Sequence, residues 1–258
     1  MLLLIDFEAT GVDPKTARIT EIGAMIVDHD FNEPLASMSQ LVWESGYPAL
    51  TPENIAVTGI TQEMLSSEGI SLDRACNMLG EMCSAVDIQA VIAYNRKYDE
   101  TLFKAELLRT GNSLHPKMNE LAQLHWLCAM EDIESNYKFK SWKQMHVALE
   151  YGITVNPKLL HRAIADVELM RQILKESGTT PEAMWAWQSS PWMYVAANVK
   201  PPWTDDGKSS TEAKALGFRW QTCGDDKVFD KTWVKKIKPH QYAQLAASTP
   251  LQLREILQ

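Results

Sequence analysis

The stretch LLLIDFE at residues 2–8 constrains this chain most, because it is an apolar run that ends in two acids spaced two apart. A run of this length reads as a short buried strand, Leu2–Phe7. Residues two apart in a strand project to the same side, so Asp6 and Glu8 face one point together. Without a cation between them, two carboxylates at the end of a buried strand would repel each other and lose hydration. Ala9, Thr10 and Gly11 follow, small residues that let the backbone approach a ligand closely.

RITEIGAMIVD at 18–28 predicts a second strand, and Gly11, Asp13 and Pro14 supply a turn between the two, so the pair reads as a hairpin. A third strand is expected at Ser39–Trp43. Pro48, Pro52 and VTGIT at 57–61 break the pattern before a helical stretch at Ser71–Val86. AVIAYN at 90–95 reads as a buried strand leading into a helix with Asp99, Phe103 and Leu107. Helical spacing returns at 141–151 and 162–176, the latter with Ile164, Val167, Met170, Ile173 and Leu174 on one apolar stripe. A strand meander followed by alternating strands and helices is a mixed α/β layer architecture.

With 258 residues and 45% hydrophobic content, the chain can bury one medium core plus a small satellite domain. Its texture changes after Gly178. TTPEAMWAWQSSPW contains Pro181, Pro191, Trp185, Trp187 and Trp192 and reads as a docking linker over 179–195. That linker separates a body at 1–178 from a small α+β tail at 196–258. In the tail, EAKALGF is a short helix pattern, two aromatic runs flank Gly224 like a hairpin, and an amphipathic helix is expected over His240–Leu257, interrupted near Pro250.

Net charge is −8, which argues against a protein that coats nucleic acid. The charge is uneven, however: residues 1–195 carry 15 Lys+Arg against 26 Asp+Glu, and residues 196–258 carry 10 against 7. Bound cations at a site would let an acidic body hold a strand end, with the basic tail adding grip. The start MLLLID has no basic leader, and its apolar run is too short for a signal peptide or membrane span, so no membrane is expected. Cysteines 76, 83, 128 and 223 form no CxxC pair. Neither a zinc site nor a disulfide framework is expected, and a reducing cytoplasm fits.

Three more residues complete the candidate chemistry. Asp99 lies four residues after Asn95, in the opening turns of a helix, where the dipole favours a carboxylate, and Tyr98 would wall it. His161 and Asp166 are five apart, so they share a site only if His161 belongs to the loop or first turn and Asp166 lies one turn inside. Pro157 supports a loop leading in, and Ala163 and Ala165 keep the surroundings slim. An imidazole titrates near neutrality, which suits a general base.

In order and spacing these segments resemble the DEDDh branch of the proofreading-type 3′→5′ exonuclease superfamily, with its RNase H-like mixed sheet flanked by helices. DFEATG at 6–11 resembles the family's DxETTG motif, YNRKYD at 94–99 its HNxxFD motif and HRAIAD at 161–166 its HxAxxD motif, over about residues 1–176. Ala9 stands for a usual Thr and Tyr94 for a usual His; neither is a metal ligand. The resemblance implies two Mg²⁺, with Mn²⁺ able to substitute. Asp6, Glu8 and Asp166 would hold one, Asp6 would bridge to the second, and Asp99 would support the pair. His161 would act as base, and the product would be a nucleoside 5′-monophosphate. Phe7, Ala9, Thr10, Ile60, Met64, Asn95 and Tyr98 would meet the terminal nucleotide, VTGIT lying where the family places a loop against it; the alternative for Phe7, Thr10, Ile60 and Met64 is ordinary core packing. DNA is the favoured substrate over RNA; the rival readings are an exoribonuclease and a non-catalytic binding subunit.

The tail segment AKALGFRW at 213–220, with Lys227 and Trp233-Val234-Lys235, resembles a small ALGxRW…KxW module appended to nucleic-acid enzymes. Lysines 227, 231, 235, 236 and 238 interleave with Phe229 and Trp233, a mixture suited to a single strand. Lys227, Phe229, Lys231, Trp233, Lys235 and Lys236 are the expected strand contacts. The alternatives are that these aromatics form the tail's own core, or that the tail docks on the body or on a protein partner.

Overall fold

In a computed structural model of the chain, described over residues 1–110, 115–156, 161–203, 208–221 and 231–256, the leading apolar run forms strand β1, Leu2–Ala9. It runs antiparallel to β2, Ile19–Val27, which in turn pairs antiparallel with β3, Ala36–Leu41. On its other edge β1 pairs parallel with β4, Ala90–Ala93, and β4 with β5, His125–Cys128, giving the order β3-β2-β1-β4-β5. This is the mixed α/β fold expected from the sequence.

All nine residues of β2 are buried, because helices cover both faces of the sheet. Leu3, Ile5 and Phe7 enter one core with Leu72, Ala75 and Leu79 of α3, Leu72–Ser84, and with Leu102 and Phe103 of the helix Arg96–Thr110. Leu2 and Leu4 enter the other, with Val167, Met170, Ile173 and Leu174 of the helix Ala163–Ser177. Asp6 and Glu8 share the parity of Leu2 and Leu4, so strand geometry aims both acids toward Ala163–Ser177.

Several elements differ from expectation. The segment expected only to break the pattern contains α1, Pro52–Thr58, and α2, Gln62–Glu68. Thr51 caps the first in a reciprocal box with Asn54, and Thr61 caps the second. The third strand ends at Leu41 rather than Trp43, where Val42 instead makes an isolated bridge to Ile70. The helix Arg96–Thr110 is α4, followed by α5, Pro116–Gln123, α6, Gln144–Glu150, and the long α7, Ala163–Ser177.

The chain divides into two compact units, Met1–Ala186 and Trp187–Gln258. Residues 179–195, expected as a linker, hold helix α8, Pro181–Ser189, and the first part of strand β6, Met193–Ala197. The second unit is an antiparallel sheet, β7-β8-β6-β9, with β7 at Arg219–Gln221, β8 at Thr232–Ile237 and β9 at Leu253–Ile256. Helices α9, Lys208–Ala215, and α10, Gln241–Ala247, accompany it. The single helix expected over His240–Leu257 stops at Ala247. Pro250 has no N–H to continue it, and the chain turns back to pair β9 with β6. Gly224, the centre of the expected hairpin, lies outside the described residues, as do Pro157, Lys227 and Phe229. Among the described residues no helix is long and apolar enough to cross a membrane.

Candidate active site

Three carboxylates from two elements converge. Ligand oxygens of Asp6 and Glu8 on β1 and of Asp166 in the first turn of α7 all lie within 4.8 Å of one another. Asp99, in the first turn of α4, is 3% exposed and accepts the Phe7 N–H at 3.2 Å, which ties that helix to β1 between the two strand acids. His161 precedes the helix in a left-handed conformation, φ 62°, and its backbone N–H donates to Asp166 Oδ2 at 3.0 Å. The histidine therefore enters from the loop with its side chain exposed and the aspartate sits one turn inside, the arrangement that their spacing requires.

The electrostatics are those of uncompensated negative charge. Burial holds the Asp6 carboxyl well above the usual range, and the charges of Asp99, Glu8, Asp166 and Glu21 add to it. Burial, then Asp166, Glu21 and Asp99, push Glu8 to about 8, with Arg162 opposing. Burial raises Asp99 to about 7 against the Phe7 N–H bond, and raises Asp166 to about 6 against the pull of His161. Hard oxygen donors gathered in a half-buried cluster whose charges repel are what a divalent cation needs, so the residues fit such a group.

That charge makes a measurable demand on stability. Carboxyls with raised folded-state pKa values favour the fold while protonated, and this contribution is lost as pH climbs through about 6, 7 and 8 for Asp166, Asp99 and Glu8. The melting temperature of the metal-free protein is expected to fall from pH 5 to pH 8.5. Mg²⁺ should restore it at the upper end and do little at the lower. A metal-free melting temperature that is flat across this range would show the cluster to be already neutralised.

Glu21 and Arg162, absent from the sequence reading, hold the frame. Glu21 lies opposite Glu8 in the β1/β2 register and is fully buried. It accepts a fork from Arg162, Nε at 3.0 Å and Nη2 at 2.8 Å, the Ala163 N–H at 3.1 Å and the Ser39 hydroxyl at 3.3 Å. A carboxylate of β2 thus caps the α7 N-terminus, where the dipole favours an anion. Gln144 of α6 adds a bond to the Asp166 carbonyl at 2.7 Å. The available signal was Glu21 itself, a lone acid inside the apolar run ITEIGAMIV, which must find a cationic partner if buried.

The expected nucleotide contacts divide. Asn95 is exposed at the turn into α4, where its carbonyl accepts the Tyr98 N–H. The Tyr98 hydroxyl donates to the Gly11 carbonyl, and its pKa is pushed to about 12 by burial and then by Asp99, Glu8 and Asp6, which sets it beside the acids. Thr10 is buried, its Oγ1 accepting the Arg18 N–H at 3.0 Å, and Ala9 is buried next to it. Phe7 is corrected to a core residue: it is 5% exposed and stacks on Phe103 at 5.9 Å, because its parity places it opposite to Asp6 and Glu8. Ile60, 1% exposed, packs with Leu41 and Leu65, and Met64 lies half-buried against that cluster. Tyr94 is buried and donates to the Trp142 carbonyl at 2.9 Å.

In the second unit Trp233 is also corrected to a core residue, 1% exposed, with its indole N–H bonded to the Lys200 carbonyl at 3.0 Å. Lys235 is half-buried and donates to the Leu216 carbonyl at 2.7 Å. Lys238 is buried, its ammonium 4.2 Å from the Trp192 ring centroid. Lys231 and Lys236 remain exposed, the latter over Trp192 at 4.5 Å.

Comparison with known proteins adds the family frame. The family model described as Exonuclease (RNase_T) matches residues 3–174. No curated protein sequence matches the chain significantly. Among solved structures, E. coli Exonuclease I in complex with a dA16 oligonucleotide is similar at TM-score 0.61 and 15% identity, over 95% of this chain and 67% of that one. The nuclease domain of 3′hExo, a DEDDh family member bound to rAMP, is similar at TM-score 0.55 and 16% identity, over 69% of this chain and 92% of that one. At these identities the likeness is one of fold.

Proposed function

The chain belongs to the exonuclease family, and from that premise we propose that it hydrolyses phosphodiester bonds one nucleotide at a time from the 3′ end of DNA, single-stranded or as a 3′ overhang, releasing nucleoside 5′-monophosphates. The observation that carries this reading is the convergence of Asp6, Glu8 and Asp166 within 4.8 Å, with the buried Asp99 bonded to the Phe7 N–H between the two strand acids. Two divalent cations, Mg²⁺ or Mn²⁺, would be held by Asp6, Glu8, Asp99 and Asp166, and when bound they neutralise the phosphate and acidify the attacking water.

This chain's own residues do the rest. His161 takes the proton of the attacking water at an imidazole nitrogen, and the bond from its backbone N–H to Asp166 fixes the main chain from which that ring projects. Glu21 and Arg162 keep the loop and the α7 N-terminus against β2, so base and ligands stay in register. Asn95 and Tyr98 flank the Asp99 side and orient the terminal nucleotide. His161→Ala is expected to lose turnover while keeping metal-dependent strand binding, measured side by side on one oligonucleotide.

DNA is favoured because Exonuclease I, similar over 95% of this chain, was crystallised with dA16. The rAMP bound to 3′hExo supports a second reading, an exoribonuclease. The test is a time course on matched 5′-labelled DNA and RNA oligonucleotides, single-stranded and duplex, with Mg²⁺, Mn²⁺ or chelator, beside Asp166→Ala. A metal-dependent ladder shrinking from the 3′ end and absent from the variant supports the proposal and ranks the substrates. Strand binding that persists in chelator, with no ladder under any metal, would replace it with a binding subunit.

A further inference from the structure

The sheet of the second unit carries a cavity of about 810 Å³, lined by Asn198, Trp203, Trp220, Lys231, Gln252 and Arg254 among others. That volume falls within the roughly 300–1,000 Å³ usual for sites of small ligands and cofactors. Trp203 is 71% exposed at its wall. An indole left in water forgoes on the order of 2–3 kcal/mol of burial; Trp203 is more exposed than Trp185, at 49%, and far more than the buried Trp187 and Trp233.

The ring is also braced. Trp203 stands edge-on to Trp220 with centroids 5.5 Å apart, and Trp220 stands against the buried Trp233 at 5.6 Å, a column of indoles rooted in the core of the unit. The Trp220 indole N–H is buried without an acceptor among the described residues. Lys231 and Arg254, both exposed, bring two cations to the same wall, in a unit whose residues carry 10 Lys+Arg against 7 Asp+Glu.

We propose that this cavity binds single-stranded nucleic acid, with one base stacked on Trp203 and backbone phosphates meeting Lys231 and Arg254. The inference rests on the reading of the chain as an enzyme of nucleic-acid strands. A rigid exposed indole with flanking cations suits that ligand because every base has a face and every linkage a charge, so the site is tolerant of sequence. It moves the tail's strand contact away from Trp233, which is interior, and keeps Lys231 from the expected set.

The test uses the full chain in chelator, so that nothing is cleaved, and follows the anisotropy of fluorescein-labelled oligo(dT). Trp203→Ala is expected to weaken binding roughly tenfold. Lys231→Gln should weaken it too, and lower the slope of log affinity against log salt by about 0.7. Hydrolysis of thymidine 5′-monophosphate p-nitrophenyl ester with Mn²⁺ should stay within about twofold of wild type for both variants, because that probe is too small to span beyond one nucleotide. Oligonucleotide affinity unchanged in both variants overturns the proposal, whatever else the cavity holds. Parallel loss of oligonucleotide binding and of small-substrate hydrolysis also overturns it, since the residues would then be structural. If wild type hydrolyses neither substrate yet Trp203→Ala still weakens binding, the exonuclease reading fails and this site stands.

Discussion

Glu8→Gln is expected to lower metal-dependent hydrolysis at least about a thousandfold, roughly 4 kcal/mol of transition-state stabilisation, while making the metal-free protein more stable at pH 8. The two effects have one cause. Glu8 sits in a cluster whose charges repel, and its carboxyl is pushed to about 8 by burial and by Asp166, Glu21 and Asp99. Because the folded-state value lies above the unfolded one, the cost of ionising Glu8 in the fold grows from about pH 4.5 upward and is complete above about pH 8. A neutral amide of the same shape removes that cost, on the order of a few kcal/mol, which raises the metal-free melting temperature by roughly 5–10 °C. The same amide is a poor ligand for a hard divalent cation. Melts in chelator at pH 5 and pH 8.5, beside turnover with Mg²⁺, check both halves. A variant that loses activity and is also less stable at pH 8.5 would mean that Glu8 serves the fold and not a cation.

The parts of this molecule legible in the sequence are those fixed by local periodicity. Period-two geometry put Asp6 and Glu8 on one side of β1, and the five-residue separation of His161 and Asp166 required a loop residue beside a first-turn residue, the arrangement found at the α7 N-terminus. What was missed depends on which face is covered. Phe7 lies within the motif, yet its odd position turns it toward α3 and α4 instead of the acids. Ile60 follows a turn and looks available, but Leu41 and Leu65 enclose it. Trp233 alternates with lysines as a strand contact would, yet it is buried in the small core of its own unit with Val195, Phe218 and Ile237. Glu21 stands out as a lone acid in an apolar strand, but its partners, Arg162 and the Ala163 N–H, lie 141 and 142 residues away, beyond the reach of local patterning. The helices α1 and α2 announced themselves through Thr51-Pro52 and Thr61, cap chemistry that a reading based on breakers passes over.

Gly23→Ala is the substitution by which the frame itself can be tested, and its expected cost is about a hundredfold in kcat with every charged group of the site intact. Gly23 pairs with Asp6 across β1 and β2, and a Cβ built on it would collide with the main chain of Ala163 and Ile164. No side-chain rotation relieves a clash with backbone, so the start of α7 must lift from the sheet. Asp166 and His161 ride on that segment while Asp6 and Glu8 stay on β1, so the displacement acts directly on the approach that brings the three carboxylates within 4.8 Å of one another. Overpacking of this kind costs about 1–3 kcal/mol of stability, which leaves a folded protein whose defect can be measured. Weaker Mg²⁺ binding, read from the metal dependence of the melting temperature, should accompany the loss of kcat, whereas a surface substitution such as Val12→Ala, at 93% exposure, should change neither. If Gly23→Ala keeps wild-type turnover and metal dependence, the close approach of β2 to α7 is a packing detail and the site tolerates its loss. If both fall together, the glycine is what allows a strand and a helix far apart in sequence to share one cation site.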